Sequence, residues 1–223
     1  MGVGVAALLR YLASRRRLAR VECARTDLRG RNSKPETGER RWHGDLVRDR
    51  RREFSSGVPV LIELGVLLSD LSAVSVYGRH REPKPGWAWP DDREPLEFTC
   101  VPGARGPKKV ALKLSVTAGI TDDRIAHALP DEPVSIWEIR GSRLGASELR
   151  NRDDLSRFRE LVGKTFDAIK DQHGMDVELS VFPAVPVPCA VEFGRTWQPK
   201  AHPPFLIYDQ VPDRGFVLRH SVG

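Results

Sequence analysis

At 223 residues the chain is long enough for one large domain or two small ones and for a sizeable buried core. Hydrophobic residues at 40% and charged residues at 30% exclude a collagen, a disulfide-stapled miniprotein and an obviously disordered polymer. The net charge of +6 is local, because residues 1–57 hold 15 Lys and Arg against 7 Asp and Glu and the remainder holds 21 against 23, so attraction to nucleic acid or an anionic membrane is confined to the N-terminal segment.

In chain order, GVGVAALLRYLASRRRLARVE places Val5, Leu8, Leu9 and Leu12 at helical spacing between arginines, which predicts a short amphipathic helix. Its uncharged run ends at Arg10, far short of the roughly 20 apolar residues a bilayer span needs, and no cleavage site follows, so neither a transmembrane helix nor a secretory signal is expected. Residues 23–57, rich in Arg, Gly, Ser and Asp without an apolar period, read as a linker, and 1–57 together as a basic, partly disordered N-terminal extension. Order begins near Val58: VPVLIELGVLLSDL sets Leu61, Leu64, Leu67, Leu68 and Leu71 on one helix face, and AVSVYG follows as a strand. Six prolines between 83 and 107 interrupt the chain around LEFTCV, a short edge strand, and mark the boundary between two lobes at residue 108.

From Lys109 the pattern becomes KVALKLSVTAGI, an apolar strand ending in small residues, then the helix DDRIAHAL, the strand PVSIWEIRG, an amphipathic helix from Asn151 to Gln172 with Gly174 past its end, the strand DVELSVFPA, and a helix starting near Pro186 to Pro188. Alternating β and α elements with strands too apolar to face water call for a Rossmann-like α/β fold, a parallel sheet with helices on both faces. In such sheets ligands sit beyond the carboxyl ends of the strands, which singles out the loops 115–123 and 182–190.

The nucleotide-triphosphate, dinucleotide, acyl-transfer and zincin motifs are absent, and six histidines lie scattered without ligand spacing, so neither an enzyme nor a metal or other cofactor is expected. Three cysteines, Cys23, Cys100 and Cys189, carry no C-x-x-C pattern and fit a reducing, cytoplasmic compartment. The turn SVTAGITDD offers hydroxyls at Ser115 and Thr117 and close backbone approach at Gly119, which suits a phosphate, although the plainer reading is an ordinary strand-to-helix turn. Lys113 interrupts an apolar strand, either emerging to meet an anionic ligand or an inter-subunit carboxylate, or snorkelling at an edge. Arg140 ends its strand, pointing into the crevice or pairing with a surface acid. Then GRTWQPK gathers Arg195, Trp197 and Lys200: two cations for phosphates and an indole that a nucleobase can stack on, with a structural tryptophan as the plainer reading.

FPAVPVPCAVEFGRTWQPKAHPPFLIYD resembles the C-terminal signature of the SAVED domain, a sensor module of bacterial anti-phage CBASS systems, similar in fold to two CARF-type Rossmann-like lobes in one chain. The resemblance extends more loosely over 58–223. It implies a reduced first CARF-like lobe at 58–108 and a second at 109–223. It implies binding of a cyclic oligonucleotide second messenger, a cyclic trinucleotide being the expected ring, then head-to-tail association of copies of the chain that switches on an effector. Residues 1–57 are too short and irregular to be an endonuclease, a TIR domain or membrane helices, so that effector is expected outside this sequence. Carried onto the matching positions, Trp197 becomes the base-stacking wall, Arg195 and Lys200 meet phosphates or the next protomer, and Phe182, Pro183, Ala184 and Pro186 shape the pocket floor beside the 115–119 turn. Two other classes stay open: a nucleic-acid-binding protein using the Arg-rich arm, and a ring nuclease that opens the same ligand with Thr117 and Lys200.

Overall fold

The computed structural model describes residues 20–23 (backbone), 57–68, 74–80, 85–130 and 133–223. They form β1 (Arg20–Cys23), α1 (Val58–Leu67), β2 (Val74–Tyr77), β3 (Phe98–Val101), β4 (Lys109–Ser115), α2 (Asp122–Ala128), β5 (Val134–Gly141), α3 (Arg152–His173), β6 (Glu178–Ala184), α4 (Val187–Thr196), β7 (Phe205–Val211) and β8 (Gly215–Val222). Of the helix expected within residues 2–22 and the linker expected over 23–57, residues 2–19 and 24–56 lie outside the described residues, as does Leu71. Arg20–Cys23, read as the junction of those two, is instead a strand antiparallel to β2.

The main sheet has six strands in the order β3-β5-β4-β6-β7-β8. Its four inner strands, β5, β4, β6 and β7, run parallel, as their continuous apolar sequences require, and the two outer strands are antiparallel to their neighbours. β3, which the proline pattern left with residues 58–108, is therefore the outer strand of the sheet built from 109–223. The β7–β8 hairpin had no expectation attached to it. Its turn is Pro212 to Gly215, with Asp213 at φ 61° and Gly215 at φ 71°, a left-handed pair that glycine and aspartate tolerate best.

Strand alternation splits the side chains between two faces of unequal depth. On one face Val110, Leu112, Leu114, Leu179, Val181, Phe205 and Ile207 pack against Leu155, Phe158, Val162, Phe166 and Ile169 of α3 and Cys189, Ala190, Val191 and Phe193 of α4. On the other, Ala111, Phe182, Tyr208 and Phe216 are covered by Ile120 and by Ile125 of the two-turn α2. Helices thus lie on both faces. α3 buries Leu155, Phe158, Val162, Phe166 and Ile169 at i, i+3 and i+4 spacing, and begins with a capping box in which Asn151 N–H donates to the Asp154 carboxylate at 3.1 Å. It ends where Gly174 takes φ 85° and its N–H donates to the Lys170 carbonyl at 2.7 Å.

α1 buries Leu61 and Leu64, and Leu68 just beyond it, but leaves Leu67, assigned to the same face, 49% exposed. It is held by α4 through an unusually close contact. A Cβ at Gly65 would stand 2.1 Å from the Val191 carbonyl oxygen, and one at Gly194 would stand 2.0 Å from the Ile62 carbonyl oxygen. The two contacts are reciprocal because the sequences repeat: Val58, Pro59, Glu63 and Gly65 of VPVLIELGVL recur in register as Val187, Pro188, Glu192 and Gly194 of VPCAVEFGRT. α4 packs beside β2, where a Cβ at Gly78 would meet Pro188, and α1 packs beside β8, where Glu63 lies 3.4 Å from His220.

Candidate functional site

The chain leaves β4 toward β5 through α2 and leaves β6 toward β7 through α4, so the crossovers diverge at the carboxyl ends of β4 and β6. That divergence opens a crevice where doubly wound sheets hold their ligands. Ser115, the last residue of β4, stands in register with Arg140 of β5 and Ala184 of β6. The loop beyond it is stitched to both neighbours: the amides of Val116 and Thr117 donate to the Ala184 carbonyl at 3.0 and 2.7 Å, and Gly145 donates to the Val116 carbonyl at 3.1 Å. Between these anchors and the buried Ile120, Ala118 and Gly119 form an exposed apex.

The crevice gathers several of the expected residues. Ser115 is fully buried and its hydroxyl has no hydrogen-bond partner among the described residues. Thr117 is half-buried, and Arg140 is exposed, with no ion pair among the described residues. Pro183, Ala184 and Pro186 are half-buried, and Pro186 caps the start of α4 with φ −70° and ψ 158°. Gly119 has open space on its Cβ side, the nearest atom being Leu144 Cδ1 at 3.9 Å. Beside the crevice, Glu148 accepts from Arg93 at 2.8 Å and Arg143 at 3.0 Å. Burial works to raise that carboxyl's pKa, but the two guanidiniums prevail and hold it below the usual value. Across the loop, the hydrogen bond with Thr121 holds the Asp123 carboxyl below its usual range. The arrangement offers two hydroxyls and a guanidinium to a ligand at the strand ends.

Four expectations are corrected by the geometry. Lys113 is neither at an edge nor free for an anion: its side chain is 8% exposed, and Nζ lies 2.7 Å from Asp122 and 3.3 Å from Glu138. Phe182 is no pocket floor, because it is fully buried on the α2 side with Tyr208 stacked at 4.7 Å and Phe216 edge-on at 5.0 Å. Trp197 is 5% exposed; its indole N–H donates to the Pro203 carbonyl at 2.9 Å and its ring meets Phe205 edge-on at 5.9 Å, leaving no face for a base. Arg195 is buried and donates to the equally buried Glu192 at 2.6 Å, which also lies 3.1 Å from Arg159.

Topology explains why these residues do not join the crevice. A helix between parallel strands starts at their carboxyl ends and finishes at the amino end of the next strand. Residues 195–200 end and follow α4, whose 10 residues span about 15 Å, and so lie at the opposite edge of the sheet from 115–119 and 183–186. Of Arg195, Trp197 and Lys200 only Lys200 is exposed. His202 completes the packing there, stacked on Phe166 at 4.9 Å with Nδ1 accepting from the Gln198 amide at 3.1 Å.

One hollow had no sequence signal. A groove of about 620 Å³ runs between β3 and α3, lined by Cys100, Arg105, Trp137, Lys164, Thr165 and Gln172 among others. Its walls come from segments far apart in sequence, and it lies along the helix rather than at the strand ends. Burial raises the pKa of the Cys100 thiol in its wall. Among the described residues there is no cluster of three or more His, Cys, Asp or Glu able to hold a metal ion, and no helix is long and apolar enough to cross a membrane.

The fold is similar to that of the SAVED/CARF-domain receptor Cap4 from Acinetobacter baumannii, two of whose structures contain cyclic trinucleotides. The complex with 3'3'3'-cAAA superposes with a TM-score of 0.55 at 15% identity, over 74% of this chain and 36% of that one. The complex with 2'3'3'-cAAA gives 0.54 at 14% over the same shares. The chain therefore spans little more than a third of that receptor's length. No curated protein matches it. Residues 39–217 match the family model SAVED, described as the SMODS-associated and fused to various effectors sensor domain, a stretch covering the crevice, both repeated helices and the whole parallel sheet, and the chain belongs to that family.

Proposed function

We propose that this chain is the sensor of a cyclic oligonucleotide second messenger, with a cyclic trinucleotide as its ligand, in a CBASS-type anti-phage defence system. The observation that carries the reading is the crevice where β4 and β6 diverge. There the buried Ser115, whose hydroxyl has no hydrogen-bond partner among the described residues, and the exposed Arg140, which has no ion pair among them, stand in register beside an exposed Ala118–Gly119 apex. It is supported by the family's description as a sensor domain and by a fold shared with a receptor that holds cyclic triadenylates. Arg140 meets a phosphate, Ser115 and Thr117 supply polar contacts, Pro183, Ala184 and Pro186 form the opposite wall, and Gly119 lets the backbone approach. Lys200, at the far edge, faces a neighbouring protomer. Ligand binding favours an assembled state, and head-to-tail association of copies of the chain activates an effector domain or protein. The chain acts in the cytoplasm, needs no cofactor and breaks no bond.

The test is to titrate the protein with 3'3'3'-cAAA, 2'3'3'-cAAA and cyclic di- and tetranucleotides, following melting temperature, particle size and ligand mass. A trinucleotide should raise the melting temperature in proportion to the logarithm of its concentration, enlarge the particles and be recovered intact. Arg140→Ala should weaken binding about tenfold, the loss of one charge-assisted hydrogen bond, with the melt of the free protein unchanged. A melt that no ring shifts would overturn the sensor; a linearised ligand would make the chain a ring nuclease; salt-sensitive DNA or RNA binding alone would favour the basic arm.

A further inference from the structure

We propose that Lys113 is the clip that sets the loop from Val116 to Thr121, making it a positioning residue for the crevice rather than a contact to the ligand. Lys113 sits on the shallow α2 face of β4, between Ala111 and Ser115, in register with Glu138 of β5 and Phe182 of β6. Its ammonium donates to the Asp122 carboxylate at 2.7 Å and to the Ile120 carbonyl at 3.2 Å, and forms an ion pair with the Glu138 carboxylate at 3.3 Å. Glu138 belongs to the sheet, while Ile120 and Asp122 close the loop and open α2. One buried cation therefore ties the far end of the loop to the strand next door. The near end is tied independently, by the Val116 and Thr117 amides on the Ala184 carbonyl. What lies between is the exposed Ala118–Gly119 apex, whose path is set by where its two ends are pinned.

A buried ammonium cannot lose its partners without leaving a charge uncompensated, so the clip holds as long as its carboxylates do. The same occupancy keeps Lys113 from any phosphate in the crevice. Asp122 is the weak side, because its side chain is 68% exposed, whereas that of Glu138 is 17% exposed. Opening the clip frees the loop end from the sheet without unpacking the α3 and α4 face.

The effect on ligand rests on the cyclic oligonucleotide reading, so loop order is measured separately, by amide hydrogen exchange on the full chain without ligand. Lys113→Met should raise exchange over 116–121 at least about tenfold, Asp122→Asn should do so by a smaller factor, and Lys113→Arg should restore protection. Affinity for 3'3'3'-cAAA should fall in the same order, by about tenfold for Lys113→Met, whereas Arg140→Ala should lose affinity with loop exchange unchanged. Unchanged exchange in Lys113→Met, or a rise spread evenly over the sheet, overturns the clip, as does weaker binding with the loop still protected. If Lys113→Met does not fold, Asp122→Asn at its exposed position decides alone: a rise confined to 116–121 supports the clip and no rise overturns it. Wild-type protein that ignores every cyclic oligonucleotide defeats the sensor reading, and the exchange comparison still decides the clip.

Discussion

Trp197 shows how a residue's neighbours in sequence mislead about its role. Beside Arg195 and Lys200 it reads as a stacking platform, yet its indole is packed on Phe205 and its N–H is bonded to Pro203. Trp197→Ala should therefore cost about 3–5 kcal/mol of stability, as truncation of a buried aromatic does, and equilibrium denaturation reads this directly. A variant that melts like wild type while losing ligand would restore the stacking role. The neighbouring His202 makes a pH prediction. Burial, chiefly, lowers its pKa, Lys170 adds to this, and Asp167 at 3.7 Å opposes it. Its Nδ1 accepts from the Gln198 amide, which requires the neutral ring in the fold. The unfolded chain takes up the proton near pH 6.5 and the folded chain only at lower pH, so stability is full above about 6.5 and declines as pH falls below it. His202→Gln, which cannot gain a proton, should flatten that decline in denaturant titrations between pH 7.5 and 5.5.

At the scale of elements, the helix pair α1–α4 carries the sharpest energetic demand. Neither Gly65 nor Gly194 has a left-handed backbone; each is needed because a methyl would enter the other helix's carbonyl at about 2 Å. The usual gain of roughly 1 kcal/mol for Gly→Ala in a helix is then outweighed by separating the helices. Gly65→Ala and Gly194→Ala should each destabilise by about 1–3 kcal/mol, and the double variant by less than their sum, since one displacement relieves both clashes. Gly163, inside α3 with Thr196 Cγ2 at an ordinary 3.6 Å, is the contrast: Gly163→Ala should stabilise by about 0.5–1 kcal/mol. These elements also show what the sequence makes legible. α2, α3 and the strands β4 to β6 announce themselves because burial on one or both faces leaves an apolar period in the chain. The β7–β8 hairpin carried its signal too, the Pro212–Gly215 turn between two apolar runs. So did the repeat of Val-Pro, Glu and Gly in α1 and α4. The crevice followed from the order of elements, since ligands collect where crossovers diverge. The roles of Lys113 and Phe182 did not, because they depend on which sheet face a short helix covers, and a strand's alternation names two faces without saying which is shallow.

At the scale of the molecule, the question is whether the α1–β2 half is an independent body. Its own apolar burial is small: Leu61, Ile62, Leu64, Leu68, Val74 and Val76, joined to a two-stranded ribbon that by itself is marginal in water. Those side chains belong to the same continuous cluster as α4, α3 and the deep face of the sheet. Detaching α1 would strip Val191 and Gly194 of their packing, and Phe193 of α4 in turn packs edge-on against Phe205. The two halves should therefore unfold together. Far-UV circular dichroism, which follows the helices, and tryptophan fluorescence, to which the buried Trp137 of β5 and Trp197 after α4 contribute, should report one coincident transition. Gly194→Ala should shift both curves by the same amount without separating them. An α1 amide set exchanging through openings far cheaper than those of β4 would show instead that the repeated helix docks on a finished domain.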